Sequence, residues 1–501
     1  MKQRRIQLSI LTSLLAACDP VGGGSESRAE PTAADHERSQ LSLEQQVEVL
    51  RDIKSRHVDD ILAIDGVIGM GIGKDGGELV FLVLYDSAGP QPALPQAIEG
   101  VDVLPAPRRP LQLDDGAPTC GVTSPCHSEQ MDLPVEMGNS GGWVSQTGSG
   151  ACTIGFKACD VATNELVFVT NSHCNQNKTT CALAVPNTTS DYWVHPGKMD
   201  AGNTCLGSGD CSRIGDIVSH AAPTCGGASN FTDATKIVSP ADMTSNAFRD
   251  IGFIQAFPGT PMVGDPVRKS GRTTGDTQGV ITGIFVDIPV PASGGYCCGA
   301  LTMHDQIEWL PSYPTAGGDS GSALLSDDGH PQIVGLHFGS AGGYSYANHI
   351  DNVLADLGIE LNFIECLQQC VFESMANTLD DRQGAIDLGH QFREQVLEAT
   401  PRGRVYVNIY YQISAEAVRI AGLHPSVLVR TATLFEAQRD AIETLIQDGD
   451  VALSQSDIDD IDSLLATYQN YASDSMSEAL QLLRNDMQDP SVLAEFGVSV
   501  Q

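Results

Sequence analysis

AGGDSGSALL, residues 316–325, is the stretch from which the rest of the chain is best read. Glycines at 317, 318 and 321 permit a tight backbone turn, and the apolar run Ala323-Leu324-Leu325 continues it as a strand. Such a turn aims the N–H groups of Gly318 and Ser320 at one point, the geometry of an oxyanion hole, and offers the Ser320 hydroxyl as a nucleophile.

A serine needs a base, and the base needs an orienting acid. Upstream, LVFVTNSHC (166–174) is an apolar strand running into a polar turn that delivers His173. In RDIGFIQAF (249–257), Asp250 opens an apolar strand whose burial would shield its carboxylate. Asp191, Asp216, Asp233 and Asp242 lie in the same interval, so Asp250 is chosen for the strand behind it. A second serine turn, Gly138-Asn139-Ser140-Gly141-Gly142, precedes His173 and has no aspartate, and it is read as a turn before a strand.

The order His, Asp, Ser in these motifs resembles the chymotrypsin-like, trypsin-fold serine peptidases. TNSHC resembles that family's TAAHC, DIGFI its aspartate strand and GGDSGS its nucleophile turn. The resemblance implies a mainly β fold of two six-stranded barrels. It also implies His173 as general base, Asp250 as orienting acid and Ser320 as nucleophile, with an oxyanion hole from the Gly318 and Ser320 amides. A Cys159–Cys174 disulfide would lie beside the base, and His337-Phe338-Gly339 would line the substrate backbone. VRKSGRTTGDTQGVITGI (267–284) and YANHIDNVLADLGIEL (346–361) resemble a bacterial branch of the family. Two departures stand out. There is no Arg/Lys-Ile-Val-Gly-Gly activation site to give Asp319 a partner, and Pro314 stands where trypsin-like members carry an acid, so preference for Arg or Lys is not expected.

The flanking segments complete the organisation. Lys2, Arg4 and Arg5 precede a short apolar stretch ending Leu15-Ala16-Ala17-Cys18, which resembles a bacterial lipobox. The implied product is exported and lipidated at Cys18, a cell-envelope lipoprotein on the periplasmic or cell-surface face. Residues 1–18 are read as signal peptide, 19–40 as flexible tether, 41–107 as a small α/β domain and possible prosegment, and 108–118 as linker. Residues 119–362 are the peptidase and 363–501 a helical C-terminal domain. Within the last, FREQVLEATPRGRVYVNIYYQISAEAV (392–418) resembles the domain named for a CFI box, although Cys366-Leu367-Gln368-Gln369-Cys370 stands where the box would be.

Composition bounds the function. With 63 acidic and 28 basic residues the net charge is -35, which repels phosphate backbones and anionic membranes and excludes nucleic acid as a partner. The 51 glycines and 26 prolines suit loop-rich β architecture. Of 14 cysteines, 11 lie between Cys120 and Cys298, as in an oxidised, exported domain; no CxxC pair favours zinc, and spacing leaves the connectivity open. Glycines 66, 69, 71 and 73 fall inside a strand, so they form no phosphate loop. Asp457, Asp459, Asp460 and Asp462 lack the glycine and glutamate of a calcium loop and read as a solvated helix face. No cofactor or metal is expected. The chain reads as a serine endopeptidase acting on protein or peptide through an acyl-enzyme, touching the membrane only through Cys18. The alternative is a non-catalytic trypsin-fold module that binds a partner at the envelope; an esterase would order its triad differently.

Overall fold

The structure, a computed structural model, describes residues 41–500 apart from 115–126, 145–150, 178–181, 189–190, 202–204, 206–210, 226–228, 241–242, 253, 293–295, 297–298, 329–330, 362–374, 377–378 and 380. Cys18, the tether, Asp242, the Asn362 junction, Cys366 and Cys370 therefore lie outside the described residues.

Helix Leu43–Leu62 starts at a capping box in which Ser42 and Gln45 satisfy each other's backbone N–H groups. It buries Val47, Leu50, Ile53, Val58 and Ile61, the apolar stripe seen in the sequence, against the hairpin Val67–Asp75 and Glu78–Asp86. The hairpin does not stand apart from the central region. Its first strand pairs antiparallel with Gly275–Val290, Met70 opposite Asp287 and Ile72 opposite Ile284. Gly71 is required by this approach, since a Cβ there would lie 2.7 Å from the side chain of Val286. Beneath the helix the buried Lys54 ammonium holds Asp287 at 2.8 Å and Asp305 at 3.2 Å.

Residues 41–107 thus extend a sheet of twelve strands. Six of those strands close on themselves, in the order Pro266–Gly271, Ala323–Ser326, Gln332–Ala341, Tyr344–His349, Leu301–Pro311 and Gly275–Val290, the last pairing back to the first. A second sheet has eight strands, running from Ile359–Glu360 through Phe156–Asp160, Glu165–Thr170 and Ala234–Val238 to Ser140–Trp143 and Cys152–Thr153. Of the two six-stranded barrels expected, the described residues form one closed ring of six strands beside this sheet of eight. Phe168, Trp193 and Ile237 of the second sheet share a core with Ala323 and Leu336 of the first, so the two sheets are locked together by close packing.

The C-terminal region is helical, with long helices Pro401–Leu423, Pro425–Asp448, Gln455–Gln469 and Asp474–Met487 around a core of their own. Asp457 corrects the solvated-face expectation: it is fully buried and caps its helix, accepting from the Ser454 N–H at 3.0 Å and hydroxyl at 2.5 Å. Among the described residues no helix is long and apolar enough to cross a membrane.

The expected linker 108–118 is also corrected, as far as Asp114. Leu111 and Leu113 are buried, and Gln112–Leu113 forms a strand against Gly339 and Ser340.

Candidate active site

Strand Glu165–Thr170 ends in a short helical turn, Ser172–Asn175, that carries His173. Its neighbour Ala234–Val238 runs antiparallel, with Phe168 opposite Ile237 and Thr170 opposite Thr235, so the residue just before that neighbour meets the turn just after the first strand. That residue is Asp233. Its Oδ2 accepts from His173 Nδ1 at 2.5 Å and from the Tyr296 hydroxyl at 2.8 Å. Its Oδ1 accepts from the Ser172 hydroxyl at 2.5 Å and from the His173 N–H at 3.1 Å. Burial pushes this carboxyl's pKa up, but the facing imidazole and these hydrogen bonds outweigh it and hold the pKa down to about 2. An ionised Asp233 keeps the imidazole proton on Nδ1 and leaves Nε2 as an acceptor. Nε2 is buried and without a hydrogen bond among the described residues.

Asp250, the acid expected from sequence, is elsewhere. Its side chain is 48% exposed and its Oδ2 lies 2.7 Å from Nε2 of His127. The reason is the pairing of the preceding strand: Thr244–Phe248 joins Val135–Met137, and the turn after it, with Asp250 at φ 64°, sets the carboxylate against His127. The sequence signal was shared, since Asp233 also stands directly before a strand of alternating apolar residues.

Ser320 is fully buried in its glycine turn. Its carbonyl accepts from Thr153 N–H at 2.9 Å, and its hydroxyl donates to the Phe338 carbonyl at 3.3 Å, not to His173. The turn nonetheless abuts the strand that leads to His173: a Cβ on Gly321 would lie 2.3 Å from Thr170 Oγ1. Gly318 adopts φ 97°, a conformation that favours glycine, and its N–H donates to the Asp114 carbonyl at 2.7 Å.

Asp319 does have partners. Its carboxylate accepts from the N–H groups of Thr273 (2.9 Å) and Thr274 (3.0 Å) and from the Thr274 hydroxyl (2.7 Å), with Lys269 Nζ at 3.4 Å. Burial raises its pKa, but Lys269 and Thr274 more than offset this and leave it below its ordinary value. The Gly-Arg-Thr-Thr-Gly hairpin, with Lys269, thus supplies the partners of Asp319. Its Arg272 is buried and paired with Asp200. Ser140 bonds the same Asp200 at 2.5 Å, which makes it a strut beneath the hairpin.

His337, Phe338 and Gly339 lie on the strand Gln332–Ala341, against which Gln112–Leu113 pairs. His337 is buried edge-on to Trp309, and its Nε2 is 2.8 Å from Asp114 Oδ2. The disulfide expectation is corrected: Cys174 bonds Cys152, with Cα atoms 6.1 Å apart, while Cys159 faces Leu166 across its strand pair and forms a different disulfide. Cys152, His173 and Cys174 cluster closely enough to hold a metal, but their sulfurs are spent in that disulfide and offer no thiolate. Asp233, Tyr296 and Asp114 are the site residues that the sequence did not single out.

No family model and no curated protein matches the sequence. Solved structures do. Chymotrypsin of Cellulomonas bogoriensis is 20% identical across 45% of this chain and 97% of its own, with a TM-score of 0.30. Thermobifida fusca protease A is 18% identical over 45% and 97%, TM-score 0.31. A structure titled as a glutamic acid specific serine protease with a histidine triad in substrate binding is 20% identical over 45% and 99%, TM-score 0.29. These neighbours are serine proteases of chymotrypsin type, and the likeness concerns the fold alone.

Proposed function

We propose that the chain is an exported serine endopeptidase of trypsin-like, double-barrel descent, anchored through Cys18 and cutting protein or peptide substrates. The observation that carries it is the buried His173–Asp233 pair, its imidazole Nε2 left unpartnered among the described residues, at the end of a strand that abuts the glycine turn holding Ser320. In this mechanism Nε2 takes the Ser320 proton as Oγ attacks the scissile carbonyl, and the imidazolium gives that proton to the leaving amine. Asp233 remains ionised and stabilises the imidazolium. The Gly318 and Ser320 N–H groups receive the developing oxyanion, and water then hydrolyses the ester.

The second reading, a non-catalytic binding module, is favoured by one observation: the Ser320 hydroxyl is bonded to Phe338 and not to His173. A fluorophosphonate probe separates the two. Labelling that maps to Ser320, lost in Ser320→Ala, is the expected result. No labelling of either the natural chain or an Asp114→Arg chain would leave the binding module.

A further inference from the structure

We propose that residues 109–114 occupy the groove of this chain as its own first substrate, and that the pocket holding Asp114 selects an acidic side chain immediately before the bond to be cut. The inference rests on the peptidase reading above and adds its substrate class and its restraint.

The backbone carries the first half of the argument. Leu113 pairs with Gly339 and Gln112 with Ser340, antiparallel, as an extended peptide added to a sheet edge does. A Cβ on Gly339 would lie 2.5 Å from the Gln112 carbonyl, so the chain lies as close as glycine permits. Asp114 continues the strand, its N–H donating to the Phe338 carbonyl at 3.2 Å. The Asp114 carbonyl, in turn, accepts from the Gly318 N–H at 2.7 Å. A carbonyl there, beside Ser320, is where the carbonyl of a bond under attack belongs.

The side chain carries the second half. Asp114 Oδ2 lies 2.8 Å from His337 Nε2, and Oδ1 accepts from the Ser340 hydroxyl at 2.7 Å. His337 is fully buried and Asp114 nearly so, and no lysine or arginine pairs with that carboxylate among the described residues. An apolar side chain would leave both donors unmatched, and a lysine or arginine would set donors against donors. A carboxylate satisfies both. The pocket is thus built for an acid, in keeping with Pro314 at the position where trypsin-like members carry their own acid.

The segment is firmly anchored. Arg108 forms a buried bidentate pair with Glu308, at 2.9 and 3.0 Å, and Glu308 is further held by the hydroxyls of Tyr346 and Thr282. The reaction balances with water as the only co-reactant. Ser320 Oγ bonds the Asp114 carbonyl carbon, and the Asp114–Asp115 C–N bond breaks, with the Ser320 proton passing through His173 to the amine. Hydrolysis of the ester then leaves Asp114 as a carboxyl terminus. After the cut, strand Val67–Asp75 stays paired to Gly275–Val290 and Gln112–Leu113 stays paired to Gly339 and Ser340, so the segment ending at Asp114 still competes with substrate, a restraint that needs no Ile-Val-Gly-Gly switch.

The test uses the full mature chain and its Ser320→Ala form, read by intact mass, N-terminal sequencing and hydrolysis of tetrapeptide p-nitroanilides ending in Asp, Glu, Leu or Lys. The expected result is a Ser320-dependent new N-terminus at Asp115. With it, kcat/KM for the Asp or Glu substrate should exceed that for Leu and Lys by roughly 10- to 100-fold. His337→Gln, and independently Ser340→Ala, should shrink that ratio. Hydrolysis without acidic preference, or an intact Asp114–Asp115 bond in a chain whose Ser320 labels, overturns the proposal and leaves the peptidase reading standing. Absence of both labelling and hydrolysis, in the natural and Asp114→Arg chains alike, removes the peptidase reading itself.

Discussion

Nδ1 of His173 lies 2.5 Å from Oδ2 of Asp233, and both side chains are closed off from solvent. An amide in place of that acid would favour the wrong imidazole tautomer while preserving shape. Asp233→Asn should therefore slow fluorophosphonate labelling of Ser320 by about 10⁴-fold, the scale seen when the equivalent acid of a triad is amidated. Asp250→Asn, which alters half-exposed contacts with His127 and Arg249, should leave the rate within about 3-fold, a contrast that a single labelling time course measures.

Asp319 and Lys269 are both fully buried, 3.4 Å apart. Lys269→Met would strand a buried carboxylate and should cost about 3–5 kcal/mol, read from guanidinium unfolding.

Acid should unfold the protein through the same class of groups. The carboxyls of Asp233 and Asp319 sit below their ordinary value of 3.8. Their contribution to stability is thus complete above that value and is lost as pH falls through the depressed one, about 2 for Asp233. Between those limits, the natural chain should lose stability more steeply with falling pH than Asp233→Asn, by unfolding titrations at fixed salt.

The Cys152–Cys174 bond closes a loop with a sequence separation of 22. Removing it as a Cys152→Ala, Cys174→Ala pair should cost about 2–5 kcal/mol. Non-reducing peptide maps should join Cys174 to Cys152 and never to Cys159.

Ser140 looks like a nucleophile in sequence, yet its hydroxyl donates to Asp200 and accepts from the Gly197 N–H at 3.0 Å. Ser140→Ala should lower stability by about 1–3 kcal/mol and leave Ser320 labelling within about 2-fold.

The local pieces were legible in the sequence because each is written in consecutive residues. Glycines around Ser320 dictate a tight turn, an apolar run before His173 dictates a strand end, and the hairpin glycines with the amphipathic stripe of 43–62 dictate the N-terminal elements. What the chain folded decides is which of these pieces meet. Asp233 and Asp250 carry the same local signal, and only the register of Val167–Thr170 against Thr235–Val238 brings one of them to His173. Cys152 outcompetes Cys159 for Cys174 by the path of a strand, not by spacing. Asp114 reaches His337 across 223 residues of sequence, a contact that no periodicity encodes, because it depends on the hairpin 67–86 joining Gly275–Val290 and carrying the following segment into the groove.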